Sequence, residues 1–262
     1  MQHLKPALFR SGDPNFMTSL AGGIEVLSSL KNSATGLKAP TISKRTGFSR
    51  AAVSRCLYTL SELGYVRQAE DGYYLEPKIL SLRQTYFKAN LLLSIAPKYL
   101  NLVKEQAGES CSLAVLDGSD VVYIARSAAR RVMTVSLGIG SRLPAFCTSL
   151  GRVLFAALLP SEQREALENS DRVAHTKSTT TENDELMKIF ESVNRQGYAI
   201  INEAPEIGLL SLATPVRVQN GAVVAAMNIG LQEPLVSEAE MLETMLPVLS
   251  QAASELSSHI IL

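Results

Sequence analysis

The sequence predicts an α+β chain, a winged helix-turn-helix followed by a largely antiparallel sheet with segregated helices. Three observations predict it. Two short helical segments separated by a Gly-containing turn run directly into a hairpin turned at Asp71-Gly72. Beyond residue 110, apolar runs of strand length are joined by Asp117-Gly118-Ser119-Asp120 and Asn220-Gly221, both hairpin signals. The later helical segments fall in blocks rather than alternating one for one with strands, which favours α+β over a parallel α/β fold.

The bulk properties agree. The chain has 262 residues, 46% hydrophobic and 19% charged, ample for one or two packed domains and incompatible with wholesale disorder. No apolar run reaches the ~18 residues of a membrane span, and residues 1–10 lack the apolar stretch of a secretory signal. Cys56, Cys111 and Cys147 are an odd number without close spacing, which suits reduced cytoplasm better than a disulfide scaffold. The net charge of zero hides an asymmetry. Residues 1–85 carry eleven Lys+Arg against six Asp+Glu, and the remainder carries fourteen against nineteen. A basic small part joined to an acidic large part points to a polyanionic partner for the first alone.

In order along the chain, residues 1–15 read as a polar arm. Leu20, Ile24, Leu27 and Leu30 recur at helical spacing behind Thr18, the expected N-cap. A second helix begins after Pro40 and stops at Gly47, and Ser49 caps a third that runs to about Leu63. On that third helix Val53, Cys56, Leu57, Leu60 and Leu63 share one side; Ala51, Ser54, Arg55, Tyr58 and Glu62 share the other. A small, hydroxylated and cationic face is what a recognition helix in a major groove requires. Tyr65-Val66-Arg67-Gln68 and Tyr73-Tyr74-Leu75 then form the wing. Pro77 opens a linker helix with apolar Ile79, Leu80, Leu82, Tyr86, Leu91 and Leu92, a surface that calls for a partner such as a second copy. Pro97 restarts a helix that ends near Gly108. Strands are expected at 111–116, 121–126, 132–137, 198–201, 209–218 and 222–231. Helices are expected at 149–159, 162–167, 184–195 and 238–256, the last kinked at Pro247.

Few residues suggest chemistry. His3, His175 and His259 are scattered, no Cys-x-x-Cys or Gly-x-Ser-x-Gly occurs, and Gly138-Ile139-Gly140 lacks the third glycine of a dinucleotide loop. Neither a metal, a cofactor nor a catalytic residue is expected. What stands out is Cys147-Thr148-Ser149-Leu150-Gly151-Arg152 at a helix start, where free N–H groups and the Thr148 and Ser149 hydroxyls suit a carboxylate. Asn202, Ser211 and Asn228 punctuate apolar strands and are candidates for the same ligand.

These segments together resemble the IclR family of bacterial transcriptional regulators, from about residue 16 to 256. The likeness is carried by Ser19-Leu20-Ala21-Gly22-Gly23-Ile24-Glu25-Val26-Leu27, by Gly47-Phe48-Ser49-Arg50, and by Leu143-Pro144-Ala145-Phe146-Cys147-Thr148-Ser149-Leu150-Gly151-Arg152. It continues in Gln196-Gly197-Tyr198, Asn202-Glu203-Ala204-Pro205-Glu206-Ile207-Gly208-Leu209, Ala213-Thr214-Pro215-Val216 and Ala225-Ala226-Met227-Asn228. The resemblance implies a winged helix-turn-helix over 16–76, a linker helix over 77–93 and a GAF-like effector-binding domain over 94–262, in a homodimer or dimer of dimers. It places effector contacts at Ser149, Leu150, Ile201, Ser211 and Asn228. Ile201 stands where some members carry an acid, and Gly230 where a serine occurs. Residues 109–118 and 122–127 most resemble the branch controlling aromatic-acid breakdown. The expectation is therefore a DNA-binding regulator under a small, aromatic carboxylate. Ser49, Arg50, Ala51, Ser54 and Arg55 would face the major groove, and Arg45 and Arg67 the phosphates. Rival readings are a regulator of a non-aromatic acid pathway and an effector-binding module without DNA specificity; a steep salt dependence of operator binding separates the latter.

Overall fold

The computed structural model describes residues 13–31, 35–89, 91–129, 137–232 and 236–260. They fall into two compact units that divide between Ala89 and Asn90.

The first unit contains α1 (Thr18–Ser29), α2 (Ala39–Thr46), α3 (Arg50–Glu62), β1 (Val66–Ala69), β2 (Gly72–Leu75) and α4 (Ile79–Ala89). Its core is Val26, Leu30, Leu37, Ile42, Val53, Leu57, Leu60 and Val66. The turn between α2 and α3 is built as expected: Gly47 takes the left-handed conformation at φ 73°, and Ser49 Oγ accepts from Ala52 N–H at 3.2 Å. Ser43 Oγ donates to Phe48 O across the same turn at 2.6 Å. The wing strands pair antiparallel from Val66↔Leu75 to Ala69↔Gly72, and Leu37 bridges to Tyr73.

Two expectations for α1 need correction. Met17, not Thr18, occupies the N-cap and makes no side-chain cap bond. The expected stripe is only half buried: Leu30 is in the core and Leu27 packs against it, but Leu20 and Ile24 are each 58% exposed, and Gly22, Glu25, Val26 and Ser29 go inward. Gly22 lies on the side of α1 nearest Cys56 and Phe48, and the stripe it belongs to takes the core position from Leu20 and Ile24.

The second unit contains α5 (Leu91–Ala107), β3 (Ser110–Asp117), β4 (Asp120–Ser127), β5 (Arg142–Pro144), a 3₁₀ turn (Ala145–Cys147), α6 (Ser149–Ala156), α7 (Pro160–Glu168), α8 (Asn183–Gln196), β6 (Ala199–Asn202), β7 (Leu209–Arg217), β8 (Val223–Gln232) and α9 (Glu238–Ser258). One antiparallel sheet runs β5-β4-β3-β8-β7-β6. Helices α5 and α9 pack together and on the sheet, and α6 packs with α8 and on β7 and β8. Covered on both faces, β7 reads as a continuous apolar run rather than an alternating one, and every residue from Leu210 to Thr214 is buried. The core around α6 includes Phe146, Leu150, Phe155, Leu186 and Phe190, with the Phe155 and Phe190 rings in an edge contact at 5.4 Å.

Pro97 does not restart a helix: it lies inside α5. Proline forfeits one main-chain bond there, but Leu92, Leu93, Ala96, Tyr99 and Leu100 are buried along the same helix and carry it through. Pro247 likewise sits within an uninterrupted α9. The strand expected at 132–137 lies outside the described residues except for Leu137.

Candidate functional site

The two units each present a candidate site. In the first, the outer face of α3 exposes Arg50, Ala51, Ser54, Arg55 and Tyr58, with Ser49 exposed at its start. The face is small and cationic near the helix N-terminus. Arg45 Nη1 donates to Ser29 O at 3.0 Å, tying α2 to the end of α1. Arg67, on the wing, is paired with Glu76 at 3.1 Å and lies over the Tyr74 ring at 4.3 Å from its centroid. Tyr74 in turn donates to Asp71 Oδ2. The structure therefore sets Arg45 and Arg67 in intramolecular contacts, whereas Arg50 and Arg55 stand on the open face of α3.

The second unit encloses a cavity of about 330 Å³ between the sheet and α6. Register builds its floor. Ser112 faces Asn228 on one side and Arg126 on the other, and Arg126 Nη1 donates to Ser112 Oγ at 3.2 Å. In the adjoining row, Gly230 pairs with both Ser110 and Ser211, and Ser211 with Ile201. Serine and glycine are short, so these rows leave room where larger residues would fill it. Tyr123 and Arg126 both line the cavity. Three residues apart on a regular strand, they would face opposite sides; a β-bulge opposite Leu113/Ala114 returns them to the same side.

The opposite wall is the first turn of α6. Thr148 Oγ1 accepts from Gly151 N–H at 3.0 Å, so this hydroxyl caps the helix. Ser149 and Ser211 hydroxyls are 2.7 Å apart, and Asn228 Nδ2 donates to Ser211 Oγ at 2.9 Å. Burial pushes the Cys147 thiol up to about 11, with Arg152 opposing, and the Tyr123 hydroxyl up to about 12, with Arg126 opposing. Both groups therefore stay protonated and neutral near pH 7. Burial also lowers the Arg126 and Arg152 guanidinium values. A loop covers the cavity: His175, Pro205 and Glu206 line it, while Thr176 and Thr179 hydroxyls donate to Glu203 O and Ala204 O, each at 2.6 Å. Glu203 adopts φ 55°, unusual for a side-chain-bearing residue, and its carboxylate accepts from Gly208 N–H at 3.0 Å.

Of the effector contacts expected from sequence, Thr148, Ser149, Leu150, Ile201, Ser211 and Asn228 line this one cavity. Asn202 does not: it is exposed, and its Nδ2 donates to Glu238 Oε1 at 3.0 Å. Period two explains the split, because Ile201 and Asn202 point to opposite faces of β6. Ser110, Ser112, Tyr123, Arg126, His175 and Glu206 were missed. Ser110 and Ser112 carried a signal, since they interrupt an apolar strand as Ser211 does. Tyr123 and Arg126 carried none, because the bulge is invisible in the residue pattern. No group of three or more His, Cys, Asp or Glu able to hold a metal occurs among the described residues, and no described helix is long and apolar enough to cross a membrane.

A DNA-reading head joined to a ligand-sized cavity defines a class, the one-component transcriptional regulators. The IclR helix-turn-helix domain matches residues 19–70, and the C-terminal domain of the bacterial transcriptional regulator IclR matches residues 84–258. The chain belongs to the IclR family of DNA-binding transcriptional regulators. It is 39% identical to the Pca regulon regulatory protein of Pseudomonas putida, over 94% of this chain and 85% of that protein. Among solved structures, a transcriptional regulator from Rhodococcus sp. RHA1 superposes with a TM-score of 0.81 at 34% identity, covering 93% of this chain and 98% of that one. The inducer-binding domain of PobR from Acinetobacter, solved as a double mutant with 3-hydroxybenzoic acid, matches at 31% identity and a TM-score of 0.62, over 65% of this chain and all of that one.

Proposed function

We propose that this chain represses or activates genes of aromatic-acid breakdown by binding a pseudo-palindromic operator as a homodimer, with operator affinity set by an aromatic carboxylate in the α6 cavity. The carrying observation is that Ser149, Ser211 and Asn228 meet in one hydrogen-bonded cluster on the wall of an otherwise largely apolar cavity of about 330 Å³, within the size range of small-molecule sites. The relative in Pseudomonas putida named for the pca regulon and the hydroxybenzoate complex of the PobR domain support the ligand class. The protein works in the cytoplasm without catalysing a reaction. Residues 16–76 read DNA, residues 77–93 join the parts and residues 94–262 sense the effector. Arg50 and Arg55 approach the major groove with Ser49, Ala51 and Ser54, while Arg45 and Arg67 stand nearer the phosphates. The dimer is supported by two exposed apolar stripes in the first unit: Met17 at the N-cap of α1 with Leu20 and Ile24 on it, and Leu80, Leu82 and Tyr86 on α4. The effector must favour one dimer geometry over another, since equal affinity for both switches nothing.

The test is operator binding by full-length protein with and without protocatechuate and 4-hydroxybenzoate. Arg55→Ala weakens specific binding by roughly 1–3 kcal/mol when Arg55 meets a base edge. Ser149→Leu keeps operator binding and loses the effector response. Unchanged operator affinity in the first variant removes Arg55 from the interface, and a normal response in the second removes the effector from this cavity.

A further inference from the structure

The charge of the wing runs against its task. Residues 66–76 hold one cation, Arg67, against three acids, Glu70, Asp71 and Glu76. DNA phosphate repels all but one of these charges, so any grip of the wing on the backbone falls to Arg67. The structure does not present Arg67 bare. Its guanidinium lies 4.3 Å from the centroid of the Tyr74 ring, Tyr74 donates to Asp71, and Arg67 Nε meets Glu76 Oε1 at 3.1 Å. Glu76 is pinned by its own main chain: its N–H donates to Tyr65 O at 2.8 Å, and its carbonyl accepts from Ile79 N–H at 3.1 Å where α4 begins. The backbone, not the ion pair, thus keeps the carboxylate in reach of Arg67. The pair is also open. The Arg67 and Glu76 side chains are 55% and 31% exposed, and an ion pair this exposed is weak enough for another anion to displace. Glu70 stands exposed at the wing tip and pairs with no cation among the described residues.

We propose that Glu76 is a built-in competitor of DNA phosphate for Arg67. In the free protein Glu76 neutralises the one cation of the wing. On DNA a phosphate takes that guanidinium, and the Glu76 carboxylate, set beside a second anion, is displaced. Glu76 therefore lowers the affinity of the wing for DNA of any sequence, because a phosphate contact carries no base information. Holding down the backbone grip leaves a larger share of the affinity to the base contacts of α3, so Glu76 favours specific over indiscriminate binding. This rests on the reading of Arg67 as a phosphate contact.

Fluorescence anisotropy of a mixed-sequence DNA duplex titrated with the full-length protein, between about 50 and 200 mM salt, tests this without an operator. Glu76→Gln keeps the size of the side chain and the main-chain bonds around it, with Glu76→Ala as the substitute should the glutamine variant fail to fold. We expect Glu76→Gln to tighten binding about two- to fivefold for each wing engaged, the worth of an open ion pair. Glu70→Gln removes the same charge from the wing without freeing Arg67, and should tighten binding much less. Arg67→Gln should weaken binding and make the log–log salt slope shallower by about 0.9 for each wing engaged. In that background Glu76→Gln should do no more than Glu70→Gln. Equal tightening by Glu76→Gln and Glu70→Gln, with Arg67→Gln still weakening binding, overturns the competition and leaves Arg67 at a phosphate. Unchanged affinity and slope in Arg67→Gln removes Arg67 from the DNA and overturns both.

Discussion

Single residues set the tolerance of the α6 corner. Gly151 lies where the first turn of α6 crosses the Ala145–Cys147 turn, and a Cβ there would run into the Ala145 backbone. Backbone cannot swing aside as a flexible side chain can. Gly151→Ala should therefore lower the melting temperature severely and abolish effector binding, and an unchanged melt would show that the turn has slack. The same cavity should make the protein alkali-sensitive. Burial raises Cys147 from 9.0 to about 11 and Tyr123 from 10.0 to about 12. Above pH ~9 the unfolded chain releases protons that the folded chain retains, so stability falls as pH rises, until the folded groups titrate as well. Thermal melts between pH 8 and 11 should show the decline, and Tyr123→Phe should flatten its upper part. A flat profile in the parent protein would contradict the burial of these groups.

At the level of elements, local chemistry was legible and pairing was not. Gly47, Ser49 and Asp71-Gly72 act within a few residues of themselves, so the helix-turn-helix and wing could be read directly. The polar interruptions Ser211 and Asn228 also pointed correctly to the cavity. The bulge that turns Tyr123 and Arg126 to one side depends on how β3 meets β4, and the neighbour of β3 in the sheet is β8, more than a hundred residues away. Nothing in residues 110–127 announces either fact. The α1 error has a similar cause: two stripes of that helix are plausible core faces, and the way α1 packs on α3 decides between them. Leu20 and Ile24, from the other stripe, are left exposed. Ile24→Glu, at a position 58% exposed, should leave the fold intact and shift sedimentation equilibrium from dimer toward monomer. A dimer of undiminished strength would move the interface elsewhere.

For the whole molecule, the charge division is the governing property. Residues 1–85 are net basic and the rest net acidic, so DNA attracts one part of the chain and repels the other. Operator affinity should fall linearly on a log–log plot against salt, by orders of magnitude between about 50 and 200 mM if six or more phosphates are engaged. A shallow slope would favour an interaction module over a DNA regulator. Small-angle scattering with saturating effector should change together with operator affinity; if neither moves, the effector does not switch the dimer. The loop over the cavity adds a matter of timing. Thr176 and Thr179 fasten it to the carbonyls of Glu203 and Ala204, which ties together the two segments that bring His175 and Pro205 to the cavity. If the proposed effector leaves by this side, Thr176→Val should shorten the time for which the regulator acts on an earlier signal, as dissociation kinetics would show.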